Sequence, residues 1–294
     1  MTPAIVEVTT RRQLRDFIDF PEKLYADSPY WVPDLRGGEF KALGPDNPAL
    51  EFSERILYLA YYGERIVGRI AGIVNYIANE KWDTRTVRFG WMDFIEDFSV
   101  AEALIDAVKN WGASLGMNRM SGPMGFNNLD KAGLLVDGFE YLSPFTCIYN
   151  YPYYRDYLER LGFVKEADWT QTVQQITGHF PERILKLTSF LEQRYGFHFY
   201  APKTRKQMRT IGREMFHLYN EAFVNVHGAT PLNEKQIDYS LSSYISIMNS
   251  KYTCFVMDRE NKIAGFAISV PSLSMAIRKA KGRLFPFGFV HILR

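Results

Sequence analysis

The chain is poor in the features that would settle its chemistry at a glance. Only two cysteines, Cys147 and Cys254, occur in 294 residues, both inside apolar strand-like runs. They form no Cys-x-x-Cys pair, so buried free thiols in a reducing compartment are expected, without a metal-thiolate site or redox dithiol. The five histidines, His179, His198, His217, His227 and His291, are scattered, and no two share metal-ligand spacing on one helix. No metal is expected. No apolar run is long enough to span a bilayer, and the N-terminus reaches Arg11 and Arg12 without a secretory apolar core. The expectation is a soluble, cytoplasmic protein with no transmembrane segment. A net charge of +2 is too small to argue for nucleic acid. Neither a Gly-x-Ser-x-Gly elbow nor a Walker-type phosphate loop is present.

What is present is apolar residues, 47% of the chain with 15% aromatics, at a length that suits two domains better than one core. The organisation looks duplicated. An extended run, Ala4 to Val8, leads into Thr10-Arg11-Arg12-Gln13-Leu14; later, Phe197 to Tyr200 leads into Thr204-Arg205-Lys206-Gln207-Met208. A hairpin-like pair, Leu57 to Ala60 and Arg65 to Gly68, is echoed by Cys254 to Met257 and Lys262 to Gly265. The offsets, 204 − 10 = 194 and 265 − 68 = 197, keep register between the copies.

In the first copy, Thr10 and Gln13 read as a capping box opening a helix through Leu14, Phe17, Ile18 and Leu24. A hairpin follows, Ile56 to Tyr61 and Ile66 to Val74, turning near Gly63-Glu64. Thr86 to Ile95 reads as a further strand. Ser99 and Glu102 read as a second capping box, with Leu104, Ala107, Val108, Trp111 and Leu115 on one stripe and Gly116 ending the helix. Met117 to Met124 returns as a strand, and a last helix runs from Pro152 to Gly162. A mixed α/β layer architecture is expected.

The segment Tyr153-Tyr154-Arg155-Asp156-Tyr157-Leu158-Glu159-Arg160-Leu161-Gly162-Phe163 resembles the closing motif of the Gcn5-related N-acetyltransferase (GNAT) superfamily. Phe89-Gly90-Trp91-Met92-Asp93, Gly122-Pro123-Met124, Gly133 to Phe139 and Tyr149-Asn150-Tyr151-Pro152-Tyr153-Tyr154 resemble, more narrowly, bacterial tandem GNAT-like proteins. The resemblance covers most of residues 1–176. It implies two GNAT-like domains, at 1–178 and 179–294, the second incomplete at its C-terminus. It implies acyl transfer from acetyl-CoA or another acyl-CoA to a small-molecule amine. The alternative is a catalytically degenerate module of the same fold that binds a ligand or partner.

By the same resemblance, Asp93 and Glu96 stand where the family places a general base, and Tyr154 where it places the tyrosine that protonates the leaving thiolate. The residues alone allow plainer roles, helix-start acids and a packed tyrosine-rich helix. Asn127, Asn128 and Asp130, in a polar loop, are substrate-binding candidates with turn formation as the alternative. Tyr149 and Asn150 join them. The family's CoA loop is glycine-containing; here Ile95 to Glu102 holds no glycine or arginine, and Glu96, Asp97 and Glu102 crowd the helix start. Carboxylates suit the helix dipole but repel a pyrophosphate.

In the second copy, helices are expected over Arg183 to Tyr195, from Met208 to Ala222 and over Pro231 to Ile247, then a hairpin from Cys254 to Val270. Val173 to Ile176 reads as a strand closing the first copy. Met275 to Lys281 looks helical and basic. Leu284 to Leu293 reads either as a fourth strand or as part of an inserted helix and loop. The missing half suggests a fragment, a lost C-terminal segment, or completion by a second chain in a homo-oligomer.

Overall fold

A computed structural model describes residues 2–175, 178, 181–226, 228–244 and 251–293. His179, His227, Ile176 and the end of the helix expected to reach Ile247 lie outside the described residues. The chain divides into two compact units. The first comprises Met1–Asp168 with Ser272–Arg294, and the second Trp169–Pro271.

The first unit opens with strand β1 (Ala4–Glu7) and helix α1 (Arg11–Leu24). Thr10 accepts from the Gln13 amide and Gln13 returns a bond to the Thr10 amide, closing the expected capping box. Helix α2 (Arg36–Ala42) follows, tied to α1 by a two-pronged Arg36–Asp19 ion pair at 2.6 and 2.8 Å. The hairpin is β2 (Ser53–Tyr62) and β3 (Arg65–Asn75); then come α3 (Tyr76–Lys81), β4 (Thr86–Phe94), α4 (Phe98–Ser114), β5 (Arg119–Ser121) and α5 (Tyr153–Arg160). The five strands form one sheet in chain order, antiparallel from β1 to β4 and parallel between β4 and β5. The mixed α/β class is therefore observed.

Alternation along β3 sends its two residue sets to opposite faces. Gly68 and Gly72 face α4, and a Cβ on either would lie within 3.1 Å of α4 side chains such as Leu104 and Val108. These glycines let the helix lie close on the sheet. On the other face, Ala71 with Leu57 and Leu59 packs against Phe17, Ile18 and Leu43 from the α1–α2 region. Arg69 shares that face.

Two local departures shape the site. The cap of α4 is Asp97, not Ser99: its carboxylate accepts from the Ser99 amide at 2.9 Å and the Ser99 hydroxyl at 2.7 Å. An ionised acceptor placed one residue before the helix wins over the hydroxyl of Ser99. The strand expected over Met117 to Met124 is confined to Arg119–Ser121, because Gly122 lies against the Phe89 carbonyl and the Met124 amide then donates to that carbonyl at 2.8 Å.

The second unit contains α6 (Glu182–Tyr195), β6 (His198–Tyr200), α7 (Arg205–Ala222), α8 (Glu234–Tyr244), β7 (Thr253–Met257) and β8 (Ile263–Ile268). Val173 to Gln175 are not in a strand. The antiparallel order β6-β7-β8 repeats β1-β2-β3. Thr204 and Gln207 close a capping box as Thr10 and Gln13 do. Each hairpin slips register at the same place, leaving one extra residue before its glycine: Val67 before Gly68, and Ala264 before Gly265 (264 − 67 = 197). The sequence repeat is thus a repeat of local structure.

The last segment forms α9 (Ser274–Lys279) and α10 (Phe289–Leu293). No strand runs from Leu284 to Leu293; Pro286 has no amide to offer a ladder. The segment belongs to the first unit. The Phe145 amide donates to Ser274 Oγ at 3.0 Å, the Arg36 amide to the Gly282 carbonyl at 2.9 Å, and Arg283 pairs with Glu22 at 2.8 Å. Among the described residues no helix is long and apolar enough to cross a membrane.

Candidate functional site

The site grows from an irregularity in β4. Its pairing with β5 covers only Thr86–Arg88 against Arg119–Ser121, while β4 continues to Phe94. On its other edge the register with β3 shifts between Arg69, opposite Asp93, and Ala71, opposite Gly90. Trp91 sits in that bulge with φ of +45°, a left-handed conformation uncommon for a bulky residue. Bulges re-aim side chains and recur beside active sites.

A buried polar chain crosses the end of β4. Arg69 Nε donates to Asp93 Oδ2 at 2.7 Å, and Arg69 Nη1 donates to the Phe17 carbonyl at 3.0 Å. Tyr25 donates to Asp93 Oδ1 at 2.8 Å. The Tyr25 and Tyr154 hydroxyls are 3.1 Å apart. With the Tyr25 proton given to Asp93, the Tyr154 hydroxyl accepts from the Phe94 amide at 2.9 Å and has two acceptors within reach for its own proton, Tyr25 at 3.1 Å and the Phe94 carbonyl at 3.4 Å. Arg69 is 4% exposed, Asp93 8%, Tyr25 and Tyr154 1% each. Burial first, and the Asp93 charge second, push both phenols well above their ordinary range, so they stay protonated. The ring of Tyr154 stacks on Phe94 at 4.2 Å, and Tyr25 is enclosed by Trp31, Tyr149 and Tyr151.

The structure brings two sequence-derived candidates, Asp93 and Tyr154, into one network through Tyr25. Both have their polar atoms engaged by protein groups. Glu96 is exposed just beyond the strand. Asp130 accepts from the Phe126 and Asn127 amides at 2.8 and 3.2 Å, and burial raises its pKa. Asn127 Oδ1 accepts from the Leu129 amide at 2.8 Å, a turn contact, and Asn128 stands in the same loop. Asn150 clamps Leu135, accepting from its amide at 2.7 Å and donating to its carbonyl at 3.1 Å. Tyr149, nearly buried, meets Tyr25 edge-on. These residues hold the long loop from Gly122 to Asn150 beside β4.

Sequence reasoning missed Arg69, Tyr25 and Glu39. Arg69 had a signal, a charge inside the apolar run from Ile66 to Val74; its partner Asp93 is the acid in Phe89 to Phe94. Glu39, on α2, had none. Its Oε2 accepts from the Trp91 indole Nε1 at 2.7 Å. Asp34, ion-paired to Lys131, lies nearby. Burial, then the Asp34 charge, raise the Glu39 carboxyl to about 7, against the opposing pull of Arg69, Lys131 and the indole.

The start of α4, where the sequence resemblance would put the donor's pyrophosphate, does not fit one. Asp97 covers the Ser99 amide and also accepts from Tyr62 at 2.8 Å. Its pKa is lowered, chiefly by the Ser99 hydroxyl, so it carries negative charge at that helix end. At the strand edge, the Phe94 carbonyl accepts from Tyr153 at 2.6 Å. In the first unit an open hollow of about 510 Å³ is lined by Asn79, Arg85 and Arg119, at the start of β4 and not at its end; within the second unit another of about 500 Å³ runs along α7 at Lys206, Arg209 and Arg213.

No known family profile matches the chain. Protein YghO of Escherichia coli (strain K12) is 26% identical over 286 residues, covering 96% of this chain and 72% of that protein. The bacterial ceramide synthase of Caulobacter vibrioides (strain NA1000 / CB15N) is 26% identical over 296 residues, covering 99% of this chain and 75% of that protein. Among solved structures, the tandem GNAT protein from the clavulanic acid biosynthesis pathway matches 90% of this chain and 73% of its own, with a TM-score of 0.48 and 11% identity. A predicted acetyltransferase with acetyl-CoA from Clostridium acetobutylicum matches 58% of this chain and 96% of its own, with a TM-score of 0.36 and 8% identity. The solved structures found thus include a tandem GNAT protein, in line with the tandem GNAT-like resemblance of the sequence motifs.

Proposed function

We propose that the chain is a GNAT-like acyltransferase that joins the acyl group of an acyl-CoA to the amine of a long-chain amino alcohol, forming an amide. The carrying observation is the 26% identity to a bacterial ceramide synthase along nearly the whole chain. A ceramide is such an amide. The mixed sheet with a β4 that leaves β5 early is a scaffold suited to this chemistry.

In this reading the amine nitrogen attacks the thioester carbonyl carbon. The C–N bond forms, the C–S bond breaks, the nitrogen gives up a proton to a base, and the thiolate takes one. Asp93 and Tyr154 serve by holding the end of β4, through Arg69 and Tyr25, rather than by touching substrate. The loop of Asn127, Asp130 and Asn150 shapes the border of the acceptor side. The diphosphate of the donor is held away from the Asp97-capped start of α4.

One observation favours a second reading, a module of this fold that binds a ligand without turnover: the Asp97 carboxylate at the helix start repels a pyrophosphate. Product formation separates the two. The full chain is mixed with palmitoyl-CoA and sphinganine and the lipids are read by mass spectrometry. The first reading expects the N-palmitoyl amide to accumulate. Absence of any amide, with acetyl-CoA tried as well, removes it.

A further inference from the structure

Glu39 is the titratable group of this region that holding the strand does not use. Three elements converge on it. Helix α2 carries it and is fixed to α1 by Arg36–Asp19. The bulge in β4 turns the Trp91 indole toward it, 2.7 Å from Nε1 to Oε2. The loop after β5 brings Lys131, paired to Asp34. Arg69, whose guanidinium is fixed by Asp93 and the Phe17 carbonyl, faces it from β3. Asp34, Arg69 and Lys131 are thus the charged groups acting on it, with Trp91 its neutral donor. Glu39 as a residue is half-buried, whereas Asp93 and Tyr154 are buried. Asp93 and Tyr154 are enclosed with their polar atoms already engaged, which leaves Glu39 as the carboxylate of this cluster not tied into the Arg69–Asp93–Tyr25–Tyr154 chain.

We propose that Glu39 is the proton acceptor for the attacking amine, in an acceptor site bounded by α2, the Trp91 bulge and Lys131. This rests on the acyl-transfer reading above. As the nitrogen bonds to the thioester carbon, its proton passes to the Glu39 carboxylate, and the thiolate leaves with the C–S electron pair. The indole hydrogen bond fixes Oε2, and in this assignment Oε1 takes the amine proton. Because its carboxyl titrates near 7, Glu39 is part-ionised at neutral pH, the range in which a general base works best.

The test is the pH dependence of acyl transfer by the full chain, with sphinganine and palmitoyl-CoA as probes. Wild type should lose rate below a midpoint near neutral pH. Glu39→Gln should lower the rate about 100-fold or more. Trp91→Phe removes a bond that favours the carboxylate, so it should move the midpoint upward while the chain still turns over. A Glu39→Gln rate within about threefold of wild type with the same acid limb would overturn the assignment. Absence of product from wild type would instead overturn the acyl-transfer reading, and the assignment with it. A second readout needs no turnover: the Trp91 indole N–H resonance should titrate with a midpoint near neutral pH. An indole resonance unchanged between about pH 5 and 9 also overturns the assignment. A folded Glu39→Gln chain should lose this titration, and if that variant does not fold, the wild-type titration and the Trp91→Phe profile decide the question.

Discussion

The two hairpins begin alike and are finished differently. Gly68 and Gly265 follow the same one-residue slip in the same kind of antiparallel pair. In the first unit a Cβ on Gly68 would meet Leu104 at 2.8 Å and Val100 at 3.0 Å, because α4 lies on it. In the second, a Cβ on Gly265 would find only Val256 Cβ, at 3.9 Å. β3 is buried along most of its length and β8 is largely open. The slip and the caps are local, set by the hairpin and helix-start sequences themselves. The need for glycine is tertiary in the first unit and is not imposed by contacts in the second. Only the first unit shows a buried Arg–Asp–Tyr–Tyr chain among its described residues.

That contrast can be broken experimentally, most severely at the buried network. Asp93→Ala leaves the Arg69 charge without its carboxylate and should destabilise the first unit by about 3–5 kcal/mol. Urea unfolding followed by tryptophan fluorescence reads it, since Trp31, Trp82, Trp91 and Trp111 all lie in that unit. A loss under about 1 kcal/mol would mean that the pair is already solvated. Next come the matched glycines. Gly68→Ala should cost about 1–3 kcal/mol through overpacking against α4, while Gly265→Ala should stay under about 1 kcal/mol. Equal costs would erase the difference between the hairpins.

Glu39 supplies a smaller, pH-dependent effect. Its carboxyl is raised from 4.5 to about 7 in the fold, so the fold favours the protonated form. Stability conferred by that preference is fully present below the unfolded value and is lost as pH rises through 7. Glu39→Gln should therefore gain on wild type between pH 5 and pH 8, by on the order of 1–2 kcal/mol after allowing for partial exposure. Denaturant midpoints at the two pH values check it, and a constant difference would contradict the raised carboxyl. The smallest effect should be the most symmetrical: Thr10→Ala and Thr204→Ala each remove the same cap, at about 1 kcal/mol apiece. Clearly unequal losses would show that the copied sequence is not a copied energetic unit.

What could be read from the chain alone follows the same line. The Thr10–Gln13 capping box and its echo at Thr204–Gln207, both hairpins and most helix positions are written in neighbouring residues, whereas the box read at Ser99–Glu102 gave way to an Asp97 cap. The early end of β5 was not legible, since it depends on Gly122 meeting the Phe89 carbonyl. Nor was the docking of α9 on the first unit, which joins Ser274 to Phe145. Asp93 and Tyr154 were reached by resemblance, but Tyr25 and Arg69, which give them their setting, lie far from them in sequence. Glu39 sits in Arg36-Gly37-Gly38-Glu39-Phe40, where its neighbours suggest an ordinary solvated helix. Its burial and its indole partner exist only once the bulge at Trp91 has formed.

The most direct measurement of the central claim is a calorimetric titration of palmitoyl-CoA into the full chain and into Asp97→Gly. The account predicts that the wild-type chain binds this donor, and that opening the start of α4 changes the affinity less than about threefold, because the diphosphate is held elsewhere. Absence of binding by wild type at high micromolar ligand would contradict the acyltransferase reading. A tenfold or greater gain in Asp97→Gly would contradict the placement of the diphosphate away from α4.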